Sequence, residues 1–348
     1  MTLNIAFIGF GGVGQALADM LFKQKDRLSG EHGLDIKVVA VTDMMKGAIY
    51  HPDGLDIQQL LNVVHQTNRV DTYPDQSGLI KGLDSIETIR NTNADMIVEV
   101  TFTDVETGQP AIDHIKTAFQ NKKSVVTTNK GPVALAYEEL LEIAKENDVY
   151  WGFEGTVMSG TPALRMPITA LAGNEIKEIR GILNGTTNYI LSEMEQGFTY
   201  EDALQKAQNL GYAEADPTSD VEGYDARYKA AILSHYLMET PIHPKNILCN
   251  GISNITGEMV QQAKQDNKRW KLLARITKKN GEVNATVKPE LLDSSDPLAA
   301  VSGPTNAIMY KCDLAGPILL TGAGAGLVET GYALLMDLIH YHQEKVRV

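Results

Sequence analysis

The first segment whose residue types and spacing suggest ligand binding is a run of glycines that follows an apolar strand at the start of the chain. The segment reads Gly9-Phe10-Gly11-Gly12-Val13-Gly14 and matches the pattern G-x-G-x-x-G. In this pattern the first glycine permits a tight turn, the second lets the backbone approach a pyrophosphate, and the third allows close packing of strand and helix. The apolar spacing after residue 13 is typical of an amphipathic helix, whose N-terminus favours an anion. This segment therefore predicts a dinucleotide-binding turn.

The second segment with side chains that could take part in catalysis lies between positions 214 and 229. Five acidic residues fall within the twelve residues 214–225, among them Glu214, Asp220 and Asp225, and Lys229 follows. A helix beginning at Asp225 would place Asp225 and Lys229 on one face, since they are four residues apart. Such a pair is usually a surface salt bridge of small effect. The acid-rich loop beside it and the predicted cofactor domain favour a functional site.

The elements that must position these residues alternate between strands and helices in the first half of the chain. The predicted strands cover residues 36–43, 96–101, 124–128 and 149–153, and the predicted helices run over 110–121 and 133–146. In an open parallel sheet, ligands bind at the carboxyl ends of the strands. Thr101 and Lys130 are therefore expected beside the glycine turn, and Lys130 is a candidate site cation.

Asp43 ends the second predicted strand, where a carboxylate can accept hydrogen bonds from the adenosine ribose. That position favours NAD. Lys46, three residues later, could attract a 2′-phosphate and favours NADP. The sequence leaves the two cofactors as alternatives.

The second half of the chain departs from the alternating pattern. A predicted strand over 176–183 leads into Asn184-Gly185-Thr186-Thr187-Asn188, where Thr186 or Thr187 is expected to cap the next helix. Further helices are predicted over 200–210, 225–238 and 328–342. The glycine-rich segment 154–161 contains a single carboxylate, and its exposed carbonyls could face a hard cation.

Composition narrows the functional class. The 348 residues suggest about two domains at the usual ~150 residues each. The net charge of −13 argues against a general nucleic-acid or anionic-membrane surface. Cys249 and Cys312 are the only cysteines, so no disulfide framework is indicated. No signal peptide is recognisable and no run approaches ~20 apolar residues, which is typical of a soluble cytoplasmic enzyme.

Taken together, these ordered motifs resemble homoserine dehydrogenase. The resemblance rests on the glycine turn, Thr127-Thr128-Asn129-Lys130, residues 154–161, Asn184 to Asn188, residues 211–217 and 220–225, Lys229, and the late glycine turn 322–326. It implies a reversible reduction of L-aspartate 4-semialdehyde to L-homoserine with NADPH or NADH, on the route to threonine and methionine.

The resemblance also implies roles for individual residues. Lys229 matches the family's proton donor, and Lys130 matches its second active-site lysine. Glu214 and Asp225 match the substrate contacts, where carboxylates would hold the substrate's ammonium group, and Asp220 supports them. Hydride delivery to an aldehyde produces a developing alkoxide, which a cation can stabilise and an acid must protonate. Gly326, in the late glycine turn, would lie against the cofactor.

A monovalent cation, usually sodium, is implied at Glu154 together with the carbonyls of Val157, Ser159 and Thr161. Met158 stands where the family often has glycine. The resemblance further implies a homodimer. Many bacterial relatives carry a C-terminal amino-acid-sensing domain, and this chain ends at Val348 without one, so feedback through such a domain is not expected.

The expected fold is α/β, with an N-terminal Rossmann-type doubly wound parallel sheet and a second α+β domain for catalysis and dimerisation. The predicted boundaries are 1–150 for the dinucleotide-binding domain, 151–317 for the substrate and dimerisation domain, and 318–348 for a segment that returns to the first domain. Two alternatives remain: another amino-acid dehydrogenase of this fold, or a non-catalytic redox sensor that binds NADP. Aspartate-semialdehyde dehydrogenase needs a cysteine nucleophile, and neither cysteine lies in such a motif.

Overall fold

The computed structural model describes residues 2–346, which form two units. The first unit comprises residues up to Gly160 together with those from Gly326 onward, and the second runs from Thr161 to Ala325. The chain therefore leaves the first unit once and returns to it once.

The first unit alternates strands and helices along the chain, as its sequence predicts. Its elements before residue 160 are β1 (Thr2–Ile8), α1 (Gly12–Lys23), α2 (Lys25–His32), β2 (Asp35–Asp43), β3 (Gly47–Tyr50), α3 (Ile57–Thr67), β4 (Ile80–Lys81), α4 (Ser85–Asn91), β5 (Met96–Glu99), α5 (Ala111–Gln120), β6 (Ser124–Thr127), α6 (Lys130–Leu135), α7 (Tyr137–Glu146), β7 (Trp151–Gly152) and α8 (Gly155–Met158).

These strands form one sheet in the order β4-β3-β2-β1-β5-β6-β7. Strands β2, β1, β5, β6 and β7 pair in parallel with their neighbours in this order. Strands β3 and β4 add an antiparallel edge beside β2. The central strand is apolar and fully buried from Ile5 to Ile8, because a parallel sheet is covered by helices on both faces. The carboxyl ends of β1, β2, β5 and β6 lie at the same edge.

The second unit contains its own sheet and a set of helices. Its elements are α9 (Arg165–Ala170), β8 (Ile176–Ile182), α10 (Gly185–Glu195), α11 (Tyr200–Asn209), α12 (Thr218–Val221), α13 (Tyr224–Leu237), a 3₁₀ turn (Pro244–Asn246), β9 (Leu248–Cys249), α14 (Gly257–Gln265), β10 (Lys268–Lys279), β11 (Glu282–Asp293), β12 (Thr305–Cys312) and β13 (Pro317–Ala323). The sheet order is β13-β12-β8-β10-β11-β9. All neighbours are antiparallel except β9, which pairs in parallel with β11.

The last helix, α15 (Leu327–Val346), belongs to the first unit. It packs against α1, and Leu334, Leu335 and Leu338 share one hydrophobic core with Leu17 and the β-strands. The first unit therefore completes its core with residues from the end of the chain.

The predicted fold class is confirmed, with a Rossmann-type sheet in one unit and a mixed sheet in the other. The structural units change at Gly160 and Ala325, later than the predicted boundaries at 150 and 317. The difference at the second boundary arises because residues 317–323 form β13, which pairs with β12 in the second sheet.

Several local predictions were wrong. The helix expected over 133–146 is two helices, α6 and α7, because Ala136 between them has a non-helical φ of −132°. Asn184, and not Thr186 or Thr187, caps α10: its side chain accepts a hydrogen bond from the Thr187 N–H. Strands β3 and β4 were missed.

In the part of the chain that the structure describes, no helix is long and apolar enough to cross a membrane.

Lys123, just before β6, generates a prediction about pH. Its side chain is 7% exposed and Nζ donates to the Thr92 carbonyl at 2.6 Å. Burial lowers the pKa of Lys123 from 10.5 to about 8, although the nearby Asp95 opposes the shift. Between these two pH values the unfolded chain binds more protons than the folded one, so stability conferred at this site rises with pH.

We therefore expect wild type to gain stability relative to Lys123→Met as pH rises from about 8 to about 10.5. Urea unfolding followed by circular dichroism across that range measures the difference. A constant difference between the two proteins would contradict a lowered pKa.

Candidate active site

The glycine turn after β1 requires glycine at its first position. Gly9 has a φ of +88°, and a Cβ there would lie 2.6 Å from the Val100 carbonyl oxygen. The Gly9 N–H donates to the Thr42 carbonyl at 2.7 Å. Gly9 thus joins the ends of three adjacent strands, because it contacts the residue after β5 and a residue of β2.

The other glycines of the turn have different surroundings. A Cβ on Gly14 would lie 3.2 Å from the Gly9 carbonyl, and one on Gly12 would overlap the Leu327 side chain. Gly11, by contrast, has open space around it. It is the N-cap residue of α1 and supplies no side chain to cap the helix. An uncapped helix start beside open space fits the pyrophosphate of a dinucleotide.

Asp43 lies at the end of β2, but backbone N–H groups already engage its carboxylate. Oδ2 accepts from Phe10 N–H at 2.8 Å, and Oδ1 accepts from the N–H groups of Met45 and Lys46 at 2.9 and 3.0 Å. The carboxylate therefore fixes both the glycine turn and the loop after β2. Its two oxygens together have about four acceptor positions, so capacity for a further donor remains.

At the ends of β5 and β6, a buried carboxylate missed by the sequence analysis organises the loops. Glu99 accepts hydrogen bonds from Thr101 and Asn129, and Lys130 follows as the first residue of α6. The available signal was an acidic residue ending an apolar strand. The sequence could not show that its side chain turns inward.

The second unit brings Asp220, Asp225 and Lys229 together. Lys229 is 6% exposed; its Nζ lies 2.7 Å from Asp225 Oδ2 and donates to the Leu183 carbonyl at 2.6 Å. Asn184 joins the two acids, since its Nδ2 donates to Asp220 Oδ1 at 2.6 Å and to Asp225 Oδ2 at 3.1 Å. The end of β8, α12 and the first turns of α13 therefore converge on one ammonium group and two carboxyl groups.

Asp220 differs electrostatically from an ordinary surface acid. Burial raises the pKa of Asp220, and the negative charge of Asp225 raises it further. Hydrogen bonds from Asn184 and Thr186 and the charge of Lys229 oppose that rise in pKa. The balance favours the neutral carboxyl more than a solvated aspartate would.

Glu214, expected in the same cluster, lies on the exposed loop before α12. Its backbone carbonyl accepts from Gln208 Nε2 at 3.0 Å. The structure therefore places the predicted site residues of the second unit in two sets: Asp220 and Asp225 around the buried Lys229, and Glu214 on the loop.

The residues expected to hold a cation surround the short helix α8. Glu154 precedes it and is buried, and Val157 lies within it. Ser159 ends the helix with a φ of +51°. Its hydroxyl and the Thr330 hydroxyl form a hydrogen bond of 2.8 Å. Thr161 is the first residue of the second unit. Within residues 2–346, no cluster of three or more His, Cys, Asp or Glu side chains could hold a metal, so a cation here would depend on carbonyl oxygens.

Gly326, the last residue expected at the cofactor, begins the return to the first unit. Its φ is +133°, and Leu327 beside it packs on Gly12. Within the first unit, the residue after Gly326 therefore contacts the first glycine turn. A dinucleotide-binding unit joined to a unit with a buried lysine and carboxyl groups defines an NAD(P)-dependent oxidoreductase.

Comparison with known families identifies the chain more closely. Residues 9–154 match the model of the homoserine dehydrogenase NAD-binding domain, and residues 162–339 match the homoserine dehydrogenase model. The chain belongs to the homoserine dehydrogenase family, as its motifs predict.

Individual relatives agree over nearly the whole length. The NAD(+)-dependent homoserine dehydrogenase of Pseudomonas canavaninivorans is 41% identical over 99% of this chain and 97% of its own. The homoserine dehydrogenase of Methanocaldococcus jannaschii is 42% identical over 98% of both chains. A solved mutant homoserine dehydrogenase of a hyperthermophilic archaeon, in complex with NADPH, is 31% identical, covers 99% of this chain and 98% of its own, and has a TM-score of 0.84.

The contrasting surroundings of Gly9 and Gly11 predict different effects of a methyl group. Gly9→Ala should lower the free energy of unfolding by about 1–3 kcal/mol or more, because a strained φ and an overlap with Val100 both oppose it. Gly11→Ala should lower it by less than about 1 kcal/mol, because the methyl group meets open space and alanine is only the weaker N-cap residue. Denaturant unfolding of both variants measures this, and equal losses would contradict the assigned conformations.

Proposed function

We propose that this protein catalyses the reversible NAD(P)H-dependent reduction of L-aspartate 4-semialdehyde to L-homoserine. The observation that carries the proposal is the buried Lys229, paired with Asp225 within a chain of the homoserine dehydrogenase family. This reaction supplies homoserine to threonine and methionine biosynthesis.

When bound, the cofactor supplies or accepts the hydride. The glycine turn 9–14 would hold its pyrophosphate, with the open backbone at Gly11 as the point of approach. Asp43 would accept from the adenosine ribose, and Thr101 and Gly326 would line the remainder of the cofactor site.

Lys229 is the proposed proton donor to the oxygen that becomes negative as hydride reaches the aldehyde. Asp225 and the Leu183 carbonyl hold its ammonium group. Both contacts restrict Nζ to one position, which lowers the entropic cost of orienting the donor.

The proposed substrate contacts are acidic because homoserine and its aldehyde carry an ammonium group. Glu214, Asp220 and Asp225 supply carboxyl groups for it. Glu214 lies on the loop before α12, and the other two are partly buried and bonded to Asn184. Lys130 is the proposed second active-site lysine, near nicotinamide and substrate, where its charge would favour the developing alkoxide.

The assay that tests the proposed function follows NADPH and then NADH absorbance after mixing with L-aspartate 4-semialdehyde, with homoserine and the oxidised cofactors as the reverse check. We expect turnover in both directions. The ratio of the two kcat/KM values distinguishes a dominant Asp43, which favours NADH, from a dominant Lys46, which favours NADPH. Cofactor binding without turnover in either direction would refute the proposed activity.

Lys229→Ala should lower kcat by roughly 10²–10⁴-fold, the usual contribution of general acid–base catalysis, with cofactor affinity nearly unchanged. Lys206→Ala is the matched control, because it removes a lysine of the same unit that is itself partly exposed and pairs with Glu193. Steady-state kinetics and cofactor titration separate the two parameters. A collapse of cofactor affinity with intact turnover of bound substrate would contradict the assigned role.

We also propose a structural monovalent cation, usually sodium in this family, at Glu154 and the carbonyls of Val157, Ser159 and Thr161. The buried carboxylate and the bent backbone at Ser159 support it. Comparing the thermal midpoint in sodium chloride and choline chloride tests the site, and equal midpoints would count against it.

A homodimer is the proposed assembly and the cytoplasm the proposed location. The resemblance supports the dimer, and the two free cysteines, Cys249 and Cys312, accord with a reducing compartment. Light scattering of the purified protein gives the mass of the assembly, and cell fractionation gives the location.

A further inference from the structure

Glu99 is a buried ionisable side chain at the carboxyl-end edge of the first sheet, called the cofactor edge because the glycine turn 9–14 also lies there. It is the last residue of β5, between Ile8 of β1 and Thr127 of β6, and its exposed fraction is 0%. Removing a carboxylate from water is costly unless hydrogen bonds replace the lost hydration. The neighbours that supply them therefore show what holds the group in place.

Both oxygens of Glu99 face donors. Oε1 accepts a hydrogen bond from the Thr101 hydroxyl and a second, at 3.3 Å, from the Thr101 N–H. Oε1 also lies 3.3 Å from His114 Nδ1. Oε2 accepts from the Asn129 amide and lies 3.3 Å from the Thr127 hydroxyl. An ionised carboxylate only accepts hydrogen bonds and has about four acceptor positions. The Thr101 hydroxyl and N–H and the Asn129 amide occupy three of these positions, while the Thr127 hydroxyl makes its shorter bond, 2.8 Å, to the Glu99 backbone carbonyl.

The same contacts join two loops that leave neighbouring strands. Thr101 follows β5 and Asn129 follows β6, and the Asn129 amide also donates to the Thr101 carbonyl at 3.0 Å. Asn129 occupies the N-cap position of α6, yet its side chain does not cap that helix. Its amide instead bonds Glu99 and the Thr101 carbonyl, so the start of α6, which is Lys130, is tied to Glu99.

We propose that Glu99 is a positioning residue that holds Thr101 and Lys130 in register at the cofactor edge. It acts through Thr101 and Asn129 and makes no contact of its own with substrate. The inference rests on the proposed function, since Thr101 and Lys130 are proposed site residues there.

The variant that tests this role is Glu99→Gln, which keeps the size of the side chain. Because both oxygens face donors, the glutamine N–H₂ group meets a donor in either orientation. We expect kcat/KM to fall by about 10²-fold, the effect of displacing reacting groups by roughly 1 Å, with a rise in KM for the cofactor. Cofactor titration followed by fluorescence provides a second readout.

Thr101→Val adds a test of whether Glu99 acts through its neighbour. It removes the hydroxyl that bonds Glu99 and conserves the shape of the side chain. If the role is positioning, Thr101→Val should weaken the enzyme alone but have little further effect in Glu99→Gln. If the loss of kcat/KM in the double variant equals the product of the two single losses, the two residues act independently, and the proposal is overturned.

Lys123→Met is the matched control for a merely structural role. Lys123 is also buried and ionisable, but it lies just before β6, at the opposite end of that strand from Asn129. All variants are assayed below their thermal transitions. The proposal predicts wild-type kcat and KM for Lys123→Met and altered values for Glu99→Gln, and equal changes in both would overturn it.

The outcomes for the two proposals are separable. An inactive wild type that binds cofactor refutes the proposed activity, and the effect of Glu99→Gln on cofactor affinity then still tests the positioning role. An active wild type with unchanged constants in Glu99→Gln refutes the positioning role alone. If Glu99→Gln does not fold, Asn129→Ala replaces it, since Asn129 is only partly buried, and is expected to raise KM for the cofactor.

Discussion

The structure of the first unit depends on the close approach of Gly9 to the backbone after β5. With a φ of +88° and space for no Cβ, Gly9 turns the chain directly against Val100 and Thr101. That contact sets where β1 ends and α1 begins. It therefore also fixes the open face at Gly11, while Gly12 accepts Leu327 from the last helix. A single backbone conformation thus links the turn, the neighbouring strand ends and α15.

In the second unit, Asn184 has a comparable role with a side chain. Its Oδ1 accepts from the Thr187 N–H and starts α10, whereas its Nδ2 donates to Asp220 and Asp225. The same amide that begins a helix thereby holds two carboxyl groups close together. Their proximity contributes to the raised pKa of Asp220, and Lys229 supplies the compensating charge.

Local patterns predicted much of this fold. The glycine turn and apolar strands identified the parallel sheet, and the four-residue spacing paired Asp225 with Lys229, as the structure confirms. Glu99 and Asn184 were missed as organising residues because their partners are distant in the chain, and spacing along a sequence carries no information about such contacts. The same limitation explains Asp43: its strand-end position was predictable, but its bonds to Phe10, Met45 and Lys46 were not.

The return of α15 to the first unit has a consequence for the order in which the protein can fold. Leu334, Leu335 and Leu338 are core residues of a sheet whose first strand begins at Thr2. During synthesis the ribosome must make the entire second unit before those leucines emerge. Until α15 has been made, the amino-terminal sheet therefore has part of its apolar surface uncovered. The second unit is contiguous in sequence and can bury its own core as it is synthesised.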